Sequence, residues 1–139
     1  MDFPARHLLL HAAVILLIGL FAGIPYGKAI LGKKSESLIH AWRVAHGALV
    51  LGAALMIALA AVLSSLQVSL LVKQALAIAF IVSGYGFAFA LTVGPLVGAR
   101  GLSSKGSISA KAVYAGNIVG AGSSLVGSFV LLYAAFVSL

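Results

Sequence analysis

The hydrophobic positions of this chain fall into four long stretches separated by short polar segments. Asp, Glu, Lys and Arg are absent from residues 7–27, 44–72, 74–99 and 112–139. A helix needs about 20 mostly apolar residues to cross the hydrocarbon core of a bilayer. A transmembrane β-barrel would instead show alternating segments of about 10 residues, and none is visible. The pattern predicts one transmembrane domain over residues 1–139, with helices at about 3–23, 36–64, 68–97 and 107–138.

Short connections between the four stretches favour antiparallel neighbours. We therefore expect an all-α fold, an integral membrane four-helix antiparallel bundle. The segment Pro25-Tyr26-Gly27 is expected to end the first helix, which we expect to be retained and not cleaved as a signal peptide. Ser35 is expected to cap the second helix, with Glu36 in its first turn.

The fourth stretch carries small residues at every fourth position. Small side chains at this spacing let helices approach closely in lipid, where van der Waals contact replaces hydrophobic burial. We therefore expect a packing stripe made of Gly116, Gly120, Ser124 and Ser128.

The charge balance is strongly basic, with nine Lys and Arg against two acids and a net charge of +7. Seven of these cations flank the first and third connections, and only Arg6 and Lys73 belong to the other side. The positive-inside rule then predicts cytoplasmic basic loops and external termini, in a bacterial-type inner membrane. Basic loops also attract anionic lipids. Nucleic-acid binding is disfavoured because no soluble basic face exists.

Missing residue types narrow the possible chemistry. The chain has no cysteine, which excludes disulfides, thiolate nucleophiles, iron–sulfur clusters and covalent haem attachment. Its two acids, Asp2 and Glu36, lie outside the apolar stretches. A carboxylate acid–base pair at membrane depth is therefore excluded, as is the proton-coupled type of four-helix exporter. A metal ion would have to be held by histidine.

The run Trp42-Arg43-Val44-Ala45-His46-Gly47 places ionisable side chains in an apolar segment. Such residues at membrane depth are costly and usually functional. His46 lies about 15 Å along the helix from Glu36, and a neutral imidazole is a good metal ligand. Trp42 and Arg43 are expected on its face, where a flat cofactor with an anionic edge would have a carboxylate at Arg43 and Trp42 at its rim. Gly47 leaves space beside the ring. A structural histidine with interfacial anchors is the alternative.

Other polar side chains are weaker candidates. His7 and His11, spaced i and i+4, could bind a metal, although a structural or supporting role is favoured for His11, and His40 is expected to be solvated. Tyr85 and Asn117 are the candidate catalytic residues: the Tyr85 phenol can donate a hydrogen bond to a substrate oxygen, and Asn117 places an amide inside the fourth helix. Packing and hydrogen bonding between helices are their alternatives.

Two segments resemble the family of styrene oxide isomerases and hydroxylaminobenzene mutases. The first is His11 followed by Gly19 and Gly23, and the second is Ala41-Trp42-Arg43-Val44-Ala45-His46-Gly47. Length and helix number are similar over nearly the whole chain. The sequence departs from the isomerases at Gly52, where they carry an asparagine.

The resemblance implies haem b with His46 as iron ligand, bound near a protomer interface of a homotrimer. It also implies a non-redox isomerase that converts small, hydrophobic aryl epoxides to aldehydes, with ferric haem acting as a Lewis acid on the epoxide oxygen. Two alternatives remain open. One is a mutase acting on aryl hydroxylamines, and the other is a haem-binding membrane subunit without enzymatic activity.

Overall fold

The fold consists of four long helices without a strand. A computed structural model describes residues 1–139, and its helices are α1 (Phe3–Leu31), α2 (Glu36–Leu63), α3 (Leu70–Val97) and α4 (Ile108–Val137). Each is long and apolar enough to cross a membrane. The predicted all-α, multi-pass membrane architecture is therefore confirmed.

Helix α1 is longer than predicted, because it continues through Pro25 to Leu31 instead of ending near Gly23. A proline inside a helix removes one backbone hydrogen bond and costs about 3 kcal/mol. Beyond Pro25, α1 still packs Ala29 in a buried cluster with Trp42 of α2, and proline is tolerated inside membrane helices that pack on neighbouring helices. The first connection shrinks to residues 32–35. The ends of the other three helices differ from the prediction by two residues or fewer.

Side chains at the helix starts satisfy free backbone amides. Asp2, Ser69 and Ser107 each accept a hydrogen bond from the amide three residues later, as N-caps do. Ser35 occupies the predicted N-cap position of α2, but its side chain makes no capping bond and pairs with Ser37 instead.

Two hairpins, α1–α2 and α3–α4, form the bundle. Helix α3 packs against all three other helices, whereas α4 contacts no helix except α3. Gly84 lets α3 approach Ile15 and Met56, where an added Cβ atom would lie 3.2 Å from each side chain. The bundle is therefore centred on α3, with α4 at its edge and an open side between α2 and α4.

The small-residue stripe of α4 is partly as predicted. Gly116 and Gly120 lie against the backbone of Gly86 on α3, and further along α4 it is Gly127 that packs closely, on Phe80. Ser128 is exposed and donates to a carbonyl of its own helix. The face of α4 that packs on α3 therefore runs from Gly116 and Gly120 to Gly127, and not along the predicted every-fourth-residue line to Ser128.

The two ends of the molecule differ in charge. The end that carries connections 32–35 and 98–107, called the basic end below, holds Lys33, Lys34, Arg100 and Lys105. At the opposite end, Lys73 forms the one ion pair of the protein, with Asp2 at 3.2 Å, and the Asp2 amide donates to Ser64. Partial burial tends to raise the pKa of Asp2, but its bonds with Ala5, Lys73 and Ser64 bring the pKa below its ordinary value.

Candidate functional site

His46 is fixed by a hydrogen bond to the backbone of α1. Its Nδ1 atom lies 2.8 Å from the carbonyl oxygen of Gly19. Because a carbonyl oxygen only accepts, Nδ1 carries the hydrogen, and in the neutral ring the lone pair is on Nε2. Metal-binding histidines are oriented in this way by a backbone carbonyl on the other ring nitrogen. The half-buried His46 ring therefore offers Nε2 as a ligand.

Gly23 allows this position of the imidazole. A Cβ atom added at Gly23 would lie 3.2 Å from Nδ1 of His46 and 3.4 Å from its Cε1 atom. Gly19 is equally crowded, because its Cβ would meet Leu49 and Val50 of α2 at 3.0 Å. The two glycines, one turn apart on α1, let α2 approach closely enough for the hydrogen bond to form.

Arg43 lies one turn from His46, toward the basic end. Its Nε atom donates to the hydroxyl of Tyr26 at 3.0 Å, and its guanidinium carbon is 5.9 Å from the centre of the Tyr26 ring. The Tyr26 ring is also roughly parallel to that of His46, with centroids 6.4 Å apart. Arg43 has no carboxylate partner, so its remaining guanidinium donors are free for an anionic group.

Open space borders this group of residues, defined as the His46 cluster: Gly19, Gly23, Tyr26, Arg43 and His46. A Cβ added at Gly27 or Gly47 would meet nothing within 4 Å. The chemistry of the donors and the free space suit a flat metal complex with an anionic edge, such as haem. No group of three or more His or acidic side chains exists that could hold a bare metal ion.

Trp42 does not lie at the rim of the cluster, which corrects the sequence-based expectation. Its side chain is 7% exposed and packs with Ala22, Ala29 and Ala45 in the interior. A residue four positions before His46 shares its general face. Here, however, the close approach of α1 covers the Trp42 part of that face and leaves the Arg43 part exposed.

Tyr85 lies apart from the His46 cluster. Its hydroxyl is 2.9 Å from Nδ1 of His11, and the two rings meet edge to face. His7 continues this row on α1, with its ring centroid 6.3 Å from that of His11. The histidine–tyrosine pair therefore joins α1 to α3, and a contact of Tyr85 with substrate stays a prediction.

Asn117 holds the connection between α3 and α4. Its Nδ2 atom donates to the carbonyl oxygen of Gly101 at 3.1 Å and to that of Arg100 at 3.4 Å. Gly101 is buried with a φ of +65°, a conformation that favours glycine. The amide thus has structural partners already, and α4 does not reach α1 or α2. Its catalytic role also stays a prediction.

Tyr26 is the member of the cluster that sequence reasoning missed. The prediction ended the first helix before this residue and placed it in a turn. Its spacing from Gly19 and Gly23, seven and three residues, would have put all three on one face of a continuous helix. The proline at position 25 concealed that spacing.

Comparison with known proteins identifies the family. No curated protein and no solved structure matches the chain. The sequence model of the family described as styrene oxide isomerase matches residues 4–136, which is nearly the whole chain and includes every residue of the His46 cluster. The protein therefore belongs to the styrene oxide isomerase family.

Proposed function

We propose that this protein is a haem b-dependent membrane isomerase that rearranges styrene-oxide-like aryl epoxides to aldehydes without net oxidation or reduction. Family membership supports an isomerase function. The observation that carries the haem proposal is the His46 geometry: Nδ1 is bonded to the Gly19 carbonyl, which leaves Nε2 as a free ligand beside a glycine-lined space.

Each polar member of the cluster has a distinct proposed role. His46 would hold the iron through Nε2, and the Gly19 carbonyl would keep the ring in the required tautomer. Arg43, held by Tyr26, would pair with a propionate at the edge of the macrocycle. When bound, haem iron would supply a Lewis acid for an oxygen of the substrate.

The surrounding residues favour rearrangement over addition to the substrate. An epoxide that opens at this depth meets neither a thiolate nor a carboxylate, because the chain has no cysteine and its two acids lie at helix starts. Apolar side chains of the helices would exclude water. A hydride shift within the opened substrate then does not compete with attack by a thiolate or carboxylate of this chain.

A second copy of the chain is part of the proposal. His46 lies at an edge of the α1–α2 hairpin and is only half-buried, so one chain covers a cofactor there incompletely. We propose that a homo-oligomer, a trimer as the resemblance implies, covers the rest. Tyr85 and Asn117 do not reach His46 within their own chain, so either would have to act from a neighbouring copy.

The first test is an absorption spectrum of the purified protein. We expect a Soret band in the wild type and its loss in His46→Ala, because His46 is the only histidine of the cluster and the Tyr26 hydroxyl is already bonded to Arg43. His40→Ala is the matched control, since this exposed histidine of the same helix lies outside the cluster and should leave the band unchanged. A wild-type protein that isomerises epoxides without haem would contradict the proposal.

Product analysis separates the enzymatic alternatives. The same haem-loaded protein should convert styrene oxide to the aldehyde and leave an aryl hydroxylamine unchanged. Conversion of the hydroxylamine to an aminophenol would instead support mutase activity. Haem binding with neither conversion, together with a co-purifying partner, would support the non-enzymatic subunit.

A further inference from the structure

A long groove between α2 and α3 is not used by the proposed function. It consists of two adjoining cavities of about 510 and 460 Å³, which share Val44 and Leu91 in their walls. Volumes of this size are typical of ligand sites. No residue of the His46 cluster lines either cavity, so the groove is separate from the proposed haem ligand in the same chain.

The groove is polar at one end and apolar at the other. Its mouth at the basic end is lined by Ser35, Ser37, His40 and Arg100. The deeper cavity is lined mainly by hydrocarbon, including Leu51, Leu55 and Phe87. Two serines line it, and both hydroxyls already donate to backbone carbonyls, that of Ser83 to Gly120 at 2.8 Å and that of Ser124 to Ala121 at 2.9 Å. The deep part therefore has no unsatisfied group for a polar guest.

We propose that this groove binds an anionic phospholipid of the bilayer, with the phosphate at Arg100 and one acyl chain along Val44 and Leu91 toward Gly52. Three observations support this occupant. The change from cationic to apolar along the groove follows the direction in which a phospholipid lies in a membrane. Arg100 has no acidic partner in the protein. Excess Lys and Arg at the basic end concentrate anionic lipids near the mouth.

A neutral aromatic substrate accounts for the groove less well. It would occupy the apolar depth but would leave the cationic mouth without a counter-ion. An acyl chain also fills the length from Leu91 to Leu55, whereas one aromatic ring does not. The lipid proposal is independent of the proposed function, because it requires neither haem nor activity.

The protein has a built-in reporter for this site. Trp42 is the single tryptophan of the chain, and it packs in a cluster with Leu38 and Leu91, both of which line the groove. A brominated acyl chain in the groove would quench its fluorescence. The full-length protein is reconstituted in phosphatidylcholine nanodiscs, into which brominated phosphatidylglycerol or brominated phosphatidylcholine is titrated.

We expect quenching to require about fivefold less phosphatidylglycerol than phosphatidylcholine, which is the preference that one arginine near the surface supplies. Arg100→Gln should remove that preference. Lys105→Gln, in the same connection but outside the lining, should keep it. Gly52→Leu should reduce quenching by both lipids, because a side chain there projects into free space.

Equal quenching of the wild type by both lipids would overturn the proposal, as would an unchanged preference in Arg100→Gln. Loss of haem from Arg100→Gln would also overturn it, since the groove would then belong to the cofactor site of an assembled oligomer. The titration is repeated in His46→Ala, where the lipid preference should persist. Failure of the haem proposal is thereby distinguished from failure of the lipid proposal.

Discussion

At the scale of single residues, one hydrogen bond determines what His46 can do. The carbonyl oxygen of Gly19 accepts from Nδ1, so the lone pair of the neutral ring is on the opposite nitrogen. A histidine bonded through Nε2 instead would present Nδ1 as its free nitrogen. Gly23 matters for the same reason, because it is the residue of α1 on which the ring rests.

Gly23→Ala should therefore weaken haem binding without unfolding the protein. The new methyl group would lie 3.2 Å from Nδ1 and would push the ring from the Gly19 carbonyl, and loss of such an orienting bond costs about 10- to 100-fold in metal affinity. Haem titration of the apoprotein measures this. Gly122→Ala adds the same methyl group in open space on α4, outside the His46 cluster, and is the control; equal affinities in the two variants would refute the orienting role of Gly19.

At the scale of helices, close approach between backbones decides which faces meet. Helix α1 continues past Pro25 because its later turns pack on α2, and this continuation brings Tyr26 to Arg43. On the other side of the molecule, α3 and α4 approach so closely that a Cβ atom at Gly86 would lie 2.7 Å from the Gly120 amide nitrogen. Small residues allow helices in lipid to approach closely enough for extensive van der Waals contact between them.

Gly86→Ala should destabilise the α3–α4 hairpin by about 1–3 kcal/mol, the usual cost of overpacking. The contact is with backbone atoms, which cannot rotate away. Unfolding in a denaturing detergent, followed by circular dichroism, gives the free energy. Gly122→Ala introduces the same methyl group where nothing lies within 4 Å and should be neutral or slightly stabilising. A neutral Gly86→Ala variant would show that the two helices separate at little cost.

At the scale of the whole molecule, α3 joins α4 to the α1–α2 hairpin. It packs on α1, α2 and α4, and its Lys73 pairs with Asp2 at the start of α1. The Lys73 ammonium also donates to the Ser64 carbonyl at the end of α2. This one side chain therefore ties three helices at the end opposite the basic end, which we propose to be the external side.

Asp2→Asn should lower stability at neutral pH by less than about 1 kcal/mol, because Asp2 is partly exposed and such ion pairs contribute little. Asparagine still caps the helix, so the charge alone is tested. The folded-state pKa of Asp2 lies below its ordinary 3.8. The Asp2 charge therefore contributes its full share of the stability at pH values well above 3.8. This contribution disappears as the pH falls through the folded-state pKa.

The measurement is thermal unfolding of the wild type and of Asp2→Asn, from neutral pH to below the folded-state pKa of Asp2. The two stability curves should converge on acidification. A difference that persists below the folded-state pKa would mean that the Asp2 charge is not its source.

The sequence by itself determined the four spans, their order, the basic end and His46 as the main candidate ligand. These follow from local composition, because an apolar stretch must be helical in lipid and a charge within it is costly. Only the tertiary structure decided which nitrogen of His46 is free, that Trp42 lies inside, and that Tyr85 pairs with His11. Those outcomes depend on how closely helices distant in sequence approach each other. That distance is set where glycines such as Gly23 and Gly84 meet side chains of another helix, which no local pattern in one helix specifies.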